Sequence, residues 1–305
     1  MTTSPSAASP SPHPRAARFA WGVLIYNVAV VIWGAYVRAS SSGAGCGSHW
    51  PTCNGQVIPR SPSGRTMVEF AHRTTSGLAL VSIVVLLLLT LRVTGARHPA
   101  RRTAWLSSLF VLLEAGIGAG LVLFEWVAGN KSLARGFVMS AHLINTFLLL
   151  GALTLTAWYL AHPYAAATLA RLRRGPAGAL FSVAALGVFL TGASGGIAAL
   201  GDTLFPNTSF VDATSHIFLK LRVFHPALAL VSAVLLLLCA RLARRRRAAL
   251  PLVGLVLLQI GVGVLDVFLL APIPLQLVHL ALADATWIAF VVLAASHATE
   301  RSDAP

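Results

Sequence analysis

The sequence predicts an all-α integral membrane protein in which eight transmembrane helices form two pseudo-symmetric four-helix bundles. Three observations support this fold class. First, 56% of the 305 residues are apolar and 10% are charged, with a mean hydropathy of +0.77, whereas about a quarter of the residues in a soluble domain are charged. Second, eight apolar windows are long enough to cross a hydrocarbon core of ~30 Å. Third, short motifs recur in the same order in both halves of the chain.

The apolar windows define the elements and the domain boundaries. They cover about residues 19–38, 67–91, 104–124, 137–160, 178–200, 219–240, 249–270 and 274–296. The first window is full length and lacks a small-residue cleavage site, so we expect no secretory signal. The predicted organisation is a disordered Ser/Pro/Ala-rich tail at 1–17, an N-terminal half at 18–162, a cytoplasmic linker at 163–177, a C-terminal half at 178–297 and a C-terminal tail at 298–305.

The net charge of +14 is distributed in a way that predicts orientation rather than a nucleic-acid partner. Fifteen of the 23 basic residues fall on one side of an eight-span topology: Arg15, Arg18, Arg92, Arg97, Arg101, Arg102, Arg171, Arg173, Arg174, Arg241, Arg244, Arg245, Arg246, Arg247 and Arg301. By the positive-inside rule these loops and both termini are cytoplasmic. An anionic membrane surface accounts for the charge, so we expect a multi-pass protein of the cell membrane and no nucleic-acid partner.

The three cysteines lie in two different environments. Cys46 and Cys53 share the first outer loop, in "CGSHWPTC". A disulfide is expected there because an outer loop is exposed to oxidising conditions, and a metal or redox site is the alternative. Cys239 lies in the apolar sixth window and is expected to be a buried, inert thiol.

Four histidines open the even-numbered windows. They are His72, His142, His225 and His279, each roughly five residues into its window from the outer side. At ~1.5 Å per residue they reach a similar depth, and the odd-numbered windows contain none. The other six lie in tails, loops or at window margins: His13, His49, His98, His162, His216 and His297. Polar side chains within membrane helices tend to face the bundle interior, so the four are expected to face inward.

Four inward-facing imidazoles predict two haem sites. A haem in a membrane bundle takes two axial histidines from facing helices, so the pattern favours two bis-histidine haems near the outer face. Zinc is the competing metal, but a zinc site needs ligands clustered at one point, often with thiolates or carboxylates.

Two repeated motifs assign the histidines to pairs. "VLLEAGIG" at 111–118 recurs as "VLLQIGVG" at 256–263, and "LALVS" at 78–82 recurs at 228–232. Windows 1–4 and 5–8 are therefore predicted to be parallel copies related by an axis along the membrane normal. Each copy contributes one pair, so His72 is paired with His142 and His225 with His279.

The two copies differ beside their first histidine. Glu69 lies three residues before His72, and Arg222 lies three residues before His225, on the same helix face in each case. A carboxylate there can handle protons, whereas an arginine is suited to a haem propionate. We therefore predict that the first half holds the reacting haem and the second half a fixed one. The alternative for Glu69 is an interfacial carboxylate paired with Arg73 or Arg65.

Three other acidic residues lie within the windows. Glu114 occupies the repeat position of Gln259, so a packed, hydrogen-bonded polar position is favoured there over a proton relay. Asp266 and Asp284 are expected to form hydrogen bonds between helices. We assign no catalytic role to any of the three.

Two motifs and the four histidines together resemble the haem A synthases, the membrane enzymes that convert haem O to haem A. The motifs are "GAYVRASSSGAGCGSHWPTCNGQVIP" at 34–59 and "EFAHRTTSG" at 69–77, and the resemblance covers about 19–296. The loop departs from the family pattern at Ser42, where glycine is common, and at His49, where an acidic residue often precedes Trp-Pro.

The resemblance implies a reaction and a set of roles. The reaction is oxidation of one haem O methyl group to a formyl group through a hydroxymethyl intermediate. Glu69 matches the family's functionally important acid, and Cys46 and Cys53 match its loop cysteines. The implied haem ligands are His72 and His142 for the substrate haem O, and His225 and His279 for a haem b cofactor.

Several expectations concern binding partners. Four cations near the outer interface are candidates for holding haem propionates, although interfacial snorkelling explains them equally well: Arg38, Arg73, Lys220 and Arg222. A complex with the haem O synthase and an electron donor would suit the reaction, and the oligomeric state is not predicted. The main alternative is a di-haem b protein that transfers electrons to or from quinone. A second alternative is a transporter built on two parallel repeats, without haem.

Overall fold

Each predicted window coincides with a helical span of the structure, apart from one residue at the end of the third window and two at the end of the seventh. The computed structural model describes residues 12–162, 176–206, 212 and 214–300. Its helices are α1 Pro14–Ala39, α2 Gly64–Val93, α3 Pro99–Leu123, α4 Leu133–Ala161, α5 Pro176–Leu204, α6 Ile217–Leu221, α7 Phe224–Leu242, α8 Ala249–Phe268 and α9 Ile273–Glu300. Within these ranges eight spans are long and apolar enough to cross a membrane, with α6 and α7 sharing one of them. The all-α, eight-span prediction is confirmed.

Most helices begin before the apolar windows because capping residues precede them. The Ser63 side chain accepts a hydrogen bond from the backbone N–H of Thr66 at the start of α2, and Ser132 accepts one from Arg135 at the start of α4. Since α2 and α4 begin earlier than expected, their histidines lie about two turns below the helix starts, deeper than the sequence predicted.

The predicted tails and linker lie mostly outside the described residues. Residues 1–11, 163–175 and 301–305 are not described. The first helix begins at Pro14, inside the segment assigned to the N-terminal tail, and α5 begins at Pro176, inside the segment assigned to the linker. The last helix continues to Glu300, inside the predicted C-terminal tail.

The sixth span is broken where the sequence predicted one continuous helix. It consists of α6 and α7, and the break falls at Arg222 and Val223. Pro226 explains the break, because its ring nitrogen has no hydrogen to donate to the carbonyl of Arg222 four residues earlier. The N–H of His225 bonds that carbonyl instead, at 3.1 Å. The second span has Arg73 at the matching position, and α2 is continuous.

Each half forms a closed four-helix ring. In the first half α1 packs on α2, α2 on α3, α3 on α4, and α4 on α1. In the second half α5, α7, α8 and α9 pack in the same cyclic order. The two rings meet through α1 and α4 on one side and α5 and α9 on the other. The helices of the two halves therefore contact one another in the same cyclic order, and their relation as parallel copies stays a prediction.

The interface between the rings is buried, whereas the outer helices expose apolar side chains. Trp287 of α9 is 6% exposed, and its indole N–H donates to the carbonyl of Phe147 on α4 at 2.6 Å. Large aliphatic side chains on α2, α3, α7 and α8 are more than half exposed: Val81, Leu88, Leu112, Leu230 and Leu257. Such a surface requires an apolar solvent, so the chain is a multi-pass membrane protein in a lipid bilayer.

Candidate functional site

The second half places its two predicted haem ligands close together on facing helices. The ring centroids of His225 on α7 and His279 on α9 are 6.3 Å apart, with an angle of 85° between the ring planes. Two imidazoles on opposite sides of one metal, each with a metal–nitrogen bond of about 2.0–2.1 Å, place their ring centroids about 6 Å apart. The observed spacing therefore matches one metal ion held between the two rings.

His225 has the supporting hydrogen bonds of a metal ligand. Its Nδ1 lies 3.1 Å from the carbonyl oxygen of Thr191 and 3.2 Å from the hydroxyl of Ser194, both on α5. A ligand histidine usually donates its second ring N–H to such a group, which fixes the ring and leaves the other nitrogen for the metal. This arrangement leaves Nε2 of His225 free to bind a metal.

The first half places His72 on α2 and His142 on α4. Nδ1 of His72 is buried and has no hydrogen-bond partner among the described residues. Nδ1 of His142 lies 3.2 Å from Oε1 of Glu114 on α3. The distance is that of an ion-pair contact, and the contact does not meet the full geometry of a hydrogen bond.

Glycines on neighbouring helices make room for three of the four rings. A Cβ atom built on Gly34 of α1 would lie 2.9 Å from Cε1 of His72, and one on Gly195 of α5 would lie 2.9 Å from Cε1 of His225. Gly34 and Gly195 are on equivalent helices of the two halves. On α8, a Cβ atom on Gly263 would lie 2.9 Å from Cε1 of His279. The rings thus lie directly on the backbone of the adjacent helix.

These residues fit two haems better than a zinc ion. A flat, apolar group held by axial histidines would fit here. The features that suit it are the facing imidazoles, a buried ring nitrogen without a partner, and the recesses in the backbone beside the rings. A zinc site needs several ligands at one point. The described part of the chain has no group of three or more His, Cys, Asp or Glu side chains that could hold a metal ion.

The outer loop contains the expected disulfide. Cys46 and Cys53 are bonded and buried. The predicted pairing is therefore confirmed, and the metal-site alternative for these two cysteines is wrong because both sulfurs are used in the disulfide. Cys239 is a free, buried thiol on α7, as predicted.

Glu69 and Arg73 anchor this loop to α2. One oxygen of Glu69 lies 2.5 Å from Nη2 of Arg73, and the other accepts a hydrogen bond from the N–H of Cys46 at 2.8 Å. Arg73 also donates to the carbonyls of His49 and Thr52, at 2.6 and 2.7 Å. The contact between Glu69 and Arg73 is present, as the interfacial alternative for Glu69 expected, and the role of Glu69 in proton transfer stays a prediction. Glu69 is 3% exposed, and its carboxylate lies beneath the loop.

The candidate propionate partners contact groups of the protein itself. Besides Arg73, Arg222 forms an ion pair with Asp202 of α5 at 3.0 Å. The guanidinium of Arg38 on α1 reaches the second half, where it donates to the carbonyl of Ala199 and the hydroxyl of Thr203 at 2.6 Å each, and to Gln276 at 2.9 Å. Lys220 lies in α6.

The sequence did not identify Glu114 as part of a histidine site. Its carboxylate accepts hydrogen bonds from Nδ2 of Asn145 at 2.5 Å and from the hydroxyl of Thr146 at 2.6 Å. The expected hydrogen-bonded position is confirmed, but its contact with His142 was not anticipated. The available signal was the repeat: Gln259, its counterpart, lies 3.4 Å from Nε2 of His279.

The expectation of a hydrogen bond between helices is not met for Asp284, and Asp266 is only partly buried. Neither carboxyl oxygen of Asp284 has a hydrogen-bond partner among the described residues, although the residue is 0% exposed. Oδ1 of Asp266 also has none within the same ranges. The predicted hydrogen bond between helices is wrong for Asp284, because the side chains around it present no polar group to either oxygen.

Comparison with known proteins agrees with this arrangement. Residues 17–291 match the family COX15-CtaA, described as cytochrome oxidase assembly protein. The chain belongs to this family. Its haem A synthase members include one from Exiguobacterium sp. that is 35% identical over 138 residues, covering 45% of each chain. The resemblance predicted from the loop and the histidines is therefore confirmed.

A longer protein that is similar to this chain has a name other than haem A synthase. A protein of Thermus thermophilus called protoheme IX farnesyltransferase is 44% identical over 297 residues, which cover 92% of this chain and 48% of that protein. A second strain of the same species has a similar protein. The chain spans about half the length of these relatives, so their printed name describes proteins with a second segment of similar size.

Proposed function

We propose that this COX15-CtaA chain is a haem A synthase that oxidises one methyl group of haem O to a formyl group through a hydroxymethyl intermediate. The observation that carries the proposal is the spacing of His225 and His279, whose centroids are 6.3 Å apart on facing helices. The equivalent helices of the first half present His72 and His142. Two bis-histidine sites in one family member suit one substrate haem and one resident haem.

The roles of the two sites follow from their surroundings. His72 and His142 hold the iron of haem O and fix which methyl group faces the reacting side of the pocket, while its isoprenoid tail extends into lipid. His225 and His279 hold haem b, which supplies electron transfer when bound. The sites lie towards the outer face of the cell membrane, with both termini in the cytoplasm.

Glu69 is proposed as the acid–base group of the oxidation. It lies one turn before His72, and Arg73 and the Cys46 N–H hold its two oxygens. A fixed, buried carboxylate can accept and return protons without exposing the site to water. The same contacts anchor the disulfide loop, so catalysis and anchoring need separate tests.

The long relatives support a partner. The relative named protoheme IX farnesyltransferase joins a segment similar to this chain to a second segment. This arrangement indicates that farnesylation of protohaem and oxidation of the product operate together. Farnesylation of protohaem produces an isoprenoid haem, which is the substrate class proposed here. We therefore propose that a haem O synthase delivers the substrate directly, and that a separate electron donor or acceptor completes the reaction.

The experiment is mass spectrometry of haems extracted from membranes of a host that makes haem O and lacks haem A. Expression of this chain should produce haem A and its hydroxymethyl precursor. A different outcome is that the purified protein contains haem b alone, with no haem A in the membranes. That result would support the quinone-linked electron carrier. Purified protein without a Soret band would support the transporter.

A further inference from the structure

Glu114 forms a polar cluster around one of the four histidines. Its two carboxylate oxygens accept hydrogen bonds from Asn145 and Thr146, and one of them lies 3.2 Å from Nδ1 of His142. Asn145 also donates to the carbonyl of Phe110 at 2.9 Å. His142, Asn145 and Thr146 lie three and four residues apart on α4, so one helix face supplies all three groups.

The second half lacks this cluster at the equivalent place. Gln259, a neutral amide, occupies the position of Glu114 and lies 3.4 Å from the ring of His279. The residues three and four positions after His279 are Leu282 and Ala283, neither of which can donate a hydrogen bond. The first half therefore has the donors that a carboxylate within a membrane requires, and the second half does not.

The four histidines consequently differ in what their rings contact. Among the described residues, only the ring of His142 has a side-chain carboxylate as an ion-pair partner. Nδ1 of His225 contacts a carbonyl and a hydroxyl. Nδ1 of His72, His142 and His279 has no partner with full hydrogen-bond geometry within those ranges, but that of His142 lies 3.2 Å from the carboxylate of Glu114.

We propose that Glu114 is a positioning residue that orients His142 and increases the electron donation of its imidazole to the iron, an inference that rests on the proposed function. A carboxylate beside the second ring nitrogen of a metal ligand fixes the ring orientation and raises the basicity of the ligand. Stronger donation favours oxidised iron and lowers the reduction potential of the haem. The first-half haem thus has a lower potential than it would have with the glutamine found in the second half.

The test compares Glu114→Gln with the reciprocal variant Gln259→Glu in the full chain, purified with its haems. Glutamine matches glutamate in size. Its amide oxygen can accept from Asn145 while its amide N–H donates to the hydroxyl of Thr146, so haem content and thermal stability should be retained. Optical redox titration should show the first-half haem at a higher potential in Glu114→Gln, with the second-half haem unchanged. In Gln259→Glu the second-half haem should move to lower potential and the first-half haem should stay.

Two further variants identify the haems and separate the possible failures. His142→Ala should alter the low-spin spectrum of the first-half haem, and His279→Ala that of the second. If neither variant changes any haem signal, the proposed ligands are wrong, and with them the proposed function. If both act as expected but Glu114→Gln leaves the first-half potential and its spectrum unchanged, the proposed function stands and the role of Glu114 is overturned. An equal shift of both haems in Glu114→Gln would also overturn it.

Discussion

The imidazole of His279 lies directly against the backbone of Gly263, where a Cβ atom would come within 2.9 Å of its Cε1. The two residues are on adjacent helices of the second half. Since Cβ contacts this short are not tolerated, any side chain at 263 must displace the ring. The glycine thus sets the position of one proposed haem ligand.

Gly263→Ala should therefore reduce haem b binding. Overpacking of this kind costs about 1–3 kcal/mol, which corresponds to roughly a fivefold to 150-fold loss of affinity. The matched control is Gly118→Ala, the repeat counterpart, whose added Cβ would have nothing within 4 Å. The measurement for both variants is the haem content per purified chain. Equal haem content in the two variants would contradict the proposed recess.

Glu69→Gln should abolish haem A formation while both haem sites remain filled. The charge is lost, but the amide oxygen can still accept from Cys46, and so the loop is partly held. Arg73→Gln serves as the control because it removes the donor to Glu69, His49 and Thr52. If both variants lose haem A to the same extent, Glu69 acts only through the loop. Normal haem A in Glu69→Gln would contradict a catalytic role altogether.

Arg38→Ala should weaken the contact between the two halves. Its guanidinium joins α1 to α5 and α9 through three hydrogen bonds, and a hydrogen bond to a charged group contributes about 1.5–3 kcal/mol. Thermal unfolding of the detergent-solubilised protein should shift to lower temperature. Arg92→Ala, in an exposed position at the end of α2, is the control and should shift it little. An unchanged transition in Arg38→Ala would show that the bridge contributes no stability.

The cysteines should differ in their reaction with alkylating reagents. Under denaturing conditions without reductant, only Cys239 should be modified, because Cys46 and Cys53 are joined. After reduction all three should react, which intact-mass measurement resolves as one and then three additions. Three additions before reduction would contradict the disulfide.

The spans were predictable because membrane helices depend on one strong property, the length of an apolar run. The windows around Leu112 and Leu257 were therefore placed correctly from hydropathy alone. The break at Arg222 was not predicted, since Pro226 lies inside an otherwise uniform apolar run and its effect on the preceding carbonyl depends on local backbone geometry. Helix starts were displaced because Ser63 and Ser132 cap turns that are too polar to register as membrane sequence.

The histidine pairs were predictable from alternation and repeat order, but their neighbours were not. Sequence spacing places residues on one helix, whereas the contact between Glu114 and His142 joins α3 and α4 and depends on their rotation and packing. The same limit applies to Arg38, a candidate propionate partner, because its contacts with Thr203 and Gln276 across the two halves were not predicted from the sequence. The aligned "VLLEAGIG" and "VLLQIGVG" motifs carried the only sequence signal for Glu114.

The most direct test of the central claim is the haem-to-protein ratio of the purified full chain and of its four single histidine-to-alanine variants. The account predicts two haems in the starting protein, each low-spin with two axial imidazoles. Loss of His225 or His279 should remove the second-half haem or change its spectrum, and leave the first-half haem intact. Loss of His72 or His142 should affect the first-half haem and leave the second-half haem intact. A single haem affected equally by all four substitutions, or two haems affected by none of them, would contradict the account.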